Sequence, residues 1–147
     1  MSVRQAVDAL ADWIEAQFGT YLQAISGTLA TPTYVRSRRP YDNRTPLLQV
    51  YATSGRPYDD AGQRNRAWAV RCAVHLSMLG SASDSDGSQD TALAYHQALI
   101  NCVNAYNDSQ ATGHSLILDE WASDDFGAAD NQTRHEWAQI VEMRYFA

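Results

Sequence analysis

From Ser2 to about Phe18, apolar residues recur at helical spacing. Val3, Ala6, Val7, Leu10, Trp13, Ile14 and Phe18 share one side, and Arg4, Asp8, Asp12 and Glu15 share the other. A one-sided stripe of this kind predicts an amphipathic helix that docks on a sheet. Ser2 is placed to cap its start, and Gly19 to stop it. Residues 66–78 carry a different rhythm. Trp68, Val70, Cys72, Val74, Leu76 and Met78 alternate with Ala67, Ala69, Arg71, Ala73, His75 and Ser77. Alternation over that length predicts a central strand with one buried face, and it puts His75 on the outward face.

Weaker patterns fill in the rest. Leu47–Thr53 reads as a strand that pairs with 66–78 in a hairpin whose tip spans about 54–65. Tyr21–Ile25 and Thr33–Val35 each admit a short strand. Gly80–Gln89 reads as a small acidic loop ending at Asp90, the expected N-cap of a second helix over 91–107. In that helix Ala92, Leu93, Tyr95, Leu99, Ile100, Val103 and Tyr106 share a side. Ser115–Leu118 reads as a short strand, 119–132 as a polar connection and 134–146 as the closing strand. The expected fold is therefore a single α+β domain over 1–147. It has a mainly antiparallel sheet of about four main strands, with two helices packed on one face.

Between the first helix and the hairpin, residues 36–46 hold four Arg and two Pro, which predicts an exposed arm over about 27–46. A short repeat flanks the strand over 47–53: Arg39-Pro40-Tyr41-Asp42 before it and Arg56-Pro57-Tyr58-Asp59 after it. Its chemistry suits turns, and it also suits a pair of Arg/Tyr contacts.

Charge sharpens this. The 147-residue chain has a net charge of −6 and no lysine. Residues 1–71 carry nine Arg against six acids, whereas 72–147 carry two Arg against eleven. The overall acidity argues against specific DNA binding. The unlike halves instead suit head-to-tail docking of copies. The start of the sequence does not read as a secretory signal, and no apolar run has the length of a membrane span. Cys72 and Cys102 read as buried reduced thiols, with a disulfide between them left open.

No arrangement of residues advertises catalysis. His75, His96, His114 and His135 are scattered, and His96 falls within the apolar arc of the second helix, as a core histidine bonded to backbone would. No nucleophile elbow or phosphate-cradling loop is present. Asp84-Ser85-Asp86-Gly87-Ser88-Gln89-Asp90 has the oxygen-rich opening of a calcium loop, but Tyr95 stands at the twelfth position, where that loop needs Glu. Glu136 and Glu142 read as surface charge. The expectation is a protein that is not an enzyme and has no cofactor, metal or catalytic residue.

An N-terminal amphipathic helix, an arm, a strand beginning Thr45-Pro46-Leu47-Leu48-Gln49-Val50-Tyr51, a long strand Trp68–Leu76, a helix and a closing strand follow in order. This succession resembles the tail-terminator, or tail-completion, proteins of long-tailed bacteriophages, with related head–tail joining proteins close by. The resemblance implies a homo-oligomeric, hexameric ring that caps the tail tube and offers a surface to the head connector or stopper. DNA would pass through its lumen without specific binding. The protein would be assembled in the host cytoplasm and reside in the virion neck. The residues proposed for subunit and tube contacts are Arg36, Arg38, Arg39, Tyr41, Arg44, Arg56, Tyr58, Arg64 and Arg66. Three alternatives stay open: another neck component, a small hydrolase or ligand-binding domain using His96 or His114, and a non-viral protein-binding module.

Overall fold

The computed structural model describes residues 2–38, 45–57, 67–81, 85–109, 115–127 and 132–146. The elements run α1 (Val3–Ile25), β1 (Thr33–Val35), β2 (Leu47–Pro57), β3 (Ala67–Ser81), α2 (Ser85–Ser109), β4 (Ser115–Gly127) and β5 (Gln132–Phe146). The strands form one five-stranded sheet in the order β1-β2-β3-β5-β4. Its one parallel pair is β1 with β2, and the other pairs are antiparallel. The α+β class holds, with five strands where about four were expected.

α1 starts as its sequence dictates. The Ser2 hydroxyl accepts from the Gln5 N–H at 3.2 Å, and the Gln5 side chain accepts from the Ser2 N–H at 2.7 Å. This reciprocal capping box satisfies two helix-end donors at once. The helix does not stop at Gly19, nor do Tyr21–Ile25 form a strand; it continues to Ile25 and ends at Ser26. Leu22 explains the extension, because it follows Ile14 and Phe18 at four-residue spacing and is fully buried with them. Burying a leucine gives about 2 kcal/mol, which outweighs the ~1 kcal/mol that glycine costs inside a helix.

The core is one cluster. Leu10, Ile14, Phe18 and Leu22 of α1 and Tyr95, Leu99, Cys102 and Val103 of α2 join the even-numbered side chains Val70–Met78 of β3 and Trp137, Val141 and Met143 of β5. Two aromatic contacts tie the helices together: Trp13 meets Tyr106 edge-on at 5.5 Å, and Phe18 stacks on Tyr95 at 6.3 Å. The Trp13 indole also donates to the Cys102 carbonyl at 2.8 Å. Both cysteines are buried and free, and burial pushes each thiol up to about 12.

Three elements are longer than expected because their ends carry no apolar signal: α2, β4 and β2, which runs to Pro57 where the hairpin tip was expected from about 54. α2 begins at Ser85, so Asp90 lies inside it and is not its cap. β4 continues through the supposed polar connection to Gly127 and pairs with β5 to its end. A bulge interrupts it: Leu118 faces Val141 and Trp121 faces Gln139, so Asp119 and Glu120 oppose Ile140 alone. The extra residue inverts the alternation downstream. Gln139, 2% exposed, stabilises the kink from across the pair, donating to the Asp119 carbonyl at 2.6 Å.

β2 contains a similar irregularity. Ala52 pairs with Cys72 and Ser54 with Arg71, which leaves Thr53 as the extra residue. Its hydroxyl donates to the Arg71 carbonyl at 3.1 Å. The shift moves Arg56 from the parity of Val50 onto the side of the sheet that carries Arg71. The Thr45–Pro46 peptide at the start of β2 is cis.

Candidate assembly surface

The residues singled out for contacts do not form one patch. Arg36, just after β1, is held by α1: its guanidinium donates to Glu15 at 2.8 and 3.0 Å and also to Asp12, and it lies 3.6 Å from Asp8. Those bonds, Glu15 first, raise its already high pKa further. Arg38 is exposed, and its charge is felt at His75. Arg56 lies at the other end of the sheet, seven residues beyond the Val35 partner Gln49 along β2, or roughly 23 Å at strand rise. Arg39, Tyr41, Arg44, Tyr58, Arg64 and Arg66 lie outside the described residues, as do His114 and Asp84.

What the fold brings together is a ladder of charge on the side of the sheet that carries the odd-numbered residues of β3. Glu142 is not surface charge. It is 7% exposed, accepts from Arg144 Nε at 2.9 Å and has Arg56 at 3.9 Å. Next along the sheet, Arg71 binds Asp119 at 2.8 Å. At the far end, Ser77 joins Arg134 and Glu136, donating to the carboxylate and accepting from the guanidinium. His75 is half-buried between Gln49, 3.3 Å from its Nδ1, and Glu136, 3.9 Å from its Nε2. Burial lowers the His75 pKa and Arg38 adds to this, while Glu136 opposes it. Small residues, Ala69 and Ala73, lie buried between these groups.

This ladder was hidden in the sequence because it depends on the β3–β5 register, in which Arg71 faces Glu142 and Ser77 faces Glu136. Period-two parity alone could have grouped Arg71 with His75, and Arg134 with Glu136, Glu142 and Arg144. It could not have set the two groups side by side.

A second feature lies where α2 meets the β4–β5 hairpin. His96 is buried, as expected, but its Nε2 bonds the side chain of Gln139 at 2.8 Å and not the backbone. Its ring sits 4.7 Å from Trp121 and 5.0 Å from Trp137. Beside it opens a slot with about 40 Å³ of enclosed space, lined by Ala92, Leu93, His96, Trp121, His135 and Trp137. Leu93 and Trp121 are 44% and 46% exposed at its rim. Trp137 is 3% exposed, and its indole N–H has no hydrogen-bond acceptor among the described residues.

Among the described residues, no three His, Cys, Asp or Glu side chains converge as a metal would need, and no helix is long and apolar enough to cross a membrane. Set against known proteins, the chain matches no family model and no curated sequence.

Proposed function

We propose that this chain is a structural virion protein that forms a ring on the phage tail tube and joins the tail to the head connector. The observation that carries the reading is a pair of open sheet margins of unlike charge. On one side β4, which carries the exposed Asp119 and Glu120, is the outermost described strand. On the other, β1 covers only Leu47–Gln49, so no described strand lies beside Val50–Pro57, where Arg56 is exposed. A basic margin meeting an acidic one is a contact between unlike patches, and such contacts close into rings when the rotation allows. In this reading both helices cover one face of the sheet, and the charge ladder on the other face is available to neighbouring copies. The protein catalyses no reaction and binds no cofactor. An acidic lining lets DNA slide through the lumen without sticking.

Mixing the purified chain with capsids and with tails, and viewing both by negative stain, tests the proposal. Decoration of tail ends supports it, decoration of capsid portals assigns the chain to another neck position, and decoration of neither refutes it. Replacing Arg38, Arg39 and Arg56 together by Glu is expected to abolish ring formation as followed by light scattering, and unchanged oligomers would count against the charge-directed contact.

A further inference from the structure

The aromatic slot and the Arg-Pro-Tyr-Asp repeat have so far been separate observations, and their chemistry fits. A groove lined by aromatic rings takes a proline ring well, because the ring is flat-sided, apolar and already ordered. Leu93 and Trp121 supply the exposed apolar rim. The buried Trp137 N–H lacks an acceptor, and a buried donor left in that state is costly. A backbone carbonyl of an incoming extended segment would satisfy it. An acid lies beside the rim: exposed Asp90 follows Gln89, a lining residue of the slot, on α2. A segment carrying arginine next to proline supplies the matching charge.

Arg56–Pro57 at the end of β2 is such a segment, and both residues are exposed. It cannot reach the slot of its own chain. Pro57 is in register with Trp68, whereas the slot residues His135 and Trp137 are in register with Met78 and Leu76. About nine residues of strand β3 separate the two places, roughly 30 Å. A segment fixed at one end of a sheet can fill a slot at the other end only on another molecule.

We infer that the Leu93–His96–Trp121–Trp137 slot of one copy receives the Arg56–Pro57 segment of a second copy, with proline against the indole and leucine rim, arginine toward Asp90, and a backbone carbonyl on the Trp137 N–H. This deepens the assembly reading and rests on it for biological purpose. The contact is head-to-tail, since the slot and the Arg56–Pro57 segment lie at opposite ends of the sheet.

The test uses the full chain, labelled with ¹⁵N, and a peptide of residues 53–60. The expected result is a saturable shift of the indole N–H signals of Trp137 and Trp121, with a peptide carrying Pro57→Ala binding roughly fivefold more weakly. No indole shift at millimolar peptide, or an equal shift with a scrambled peptide of the same composition, overturns the inference. In a second arm, Trp121→Ala removes the slot and Arg56→Glu spoils the segment. Where the parent self-associates, each variant alone should stay monomeric, and an equimolar mixture should give dimers and nothing larger, because only one sound contact can form. A Trp121→Ala chain that assembles like the parent also overturns it. The peptide arm decides the matter even if the parent is monomeric. A chain that decorates tails yet ignores the peptide refutes the slot alone. One that takes the peptide yet decorates nothing refutes the tail reading alone.

Discussion

His75 is held in its neutral form by its surroundings. It sits half-buried on β3 beside Gln49; desolvation, helped by Arg38, outweighs Glu136, which favours the charged form. Its folded pKa lies below the ordinary value of 6.5. Below that value the unfolded chain takes up a proton that the folded chain resists, so stability rises with pH across this window. The stabilisation is fully present above about 6.5 and is lost as pH falls toward the folded pKa. Thermal melts between mildly acidic and neutral pH should therefore show a falling midpoint on acidification, and His75→Gln should flatten that fall while keeping the contact with Gln49's neighbourhood. An equal slope in the variant would place the titration elsewhere. The carboxylate of Glu142 poses the opposite problem: it is buried and ionisable, and it depends on Arg144 and Arg56 for compensation.

At the level of elements, the outermost strand is closed at one point by a side chain. Asn107, near the end of α2, donates to the Leu116 carbonyl at 2.7 Å and accepts from the Leu116 N–H at 2.8 Å. Its amide thus acts as one residue of a missing neighbour strand, protecting the start of β4 from strand addition. Asn107→Ala should cost about 1–2 kcal/mol by urea denaturation and should speed hydrogen exchange at the Leu116 amide well before global unfolding. The same strand shows what a sequence can and cannot reveal. α1 and β3 were legible because each buries one unbroken stripe, and the seven-residue shortfall in α1 came from treating Gly19 as a stop when Leu22 still had a place in the core. β4 was illegible past Leu118, since the bulge at Asp119–Glu120 inverts the alternation and the acidic residues beyond it resemble loop. Arg56 was legible as exposed. Its place on the face of Arg71 and Glu142 was not, because a single extra residue at Thr53 decides it.

Across the whole molecule, the candidate contacts fall at opposite ends of one sheet, with Arg36 and Arg38 near its β1 margin and Arg56 beyond the bulge of β2. Arg36 is occupied by three α1 carboxylates, so its part is to hold the β1 margin against the helix. The separation of ends is what a propagating contact requires, and it could be read only after strand order and register were known. That order, β1-β2-β3-β5-β4, has a further consequence for how the protein is made. The strand that bridges β3 to β4 leaves the ribosome after both of them, so until residues 132–146 emerge β3 presents a bare apolar margin and β4 has no partner. A chain halted after residue 131 should therefore pellet on ultracentrifugation, where one halted only after β5 stays in the supernatant, and synthesis of this protein should be most vulnerable to self-sticking in the interval before β5 emerges.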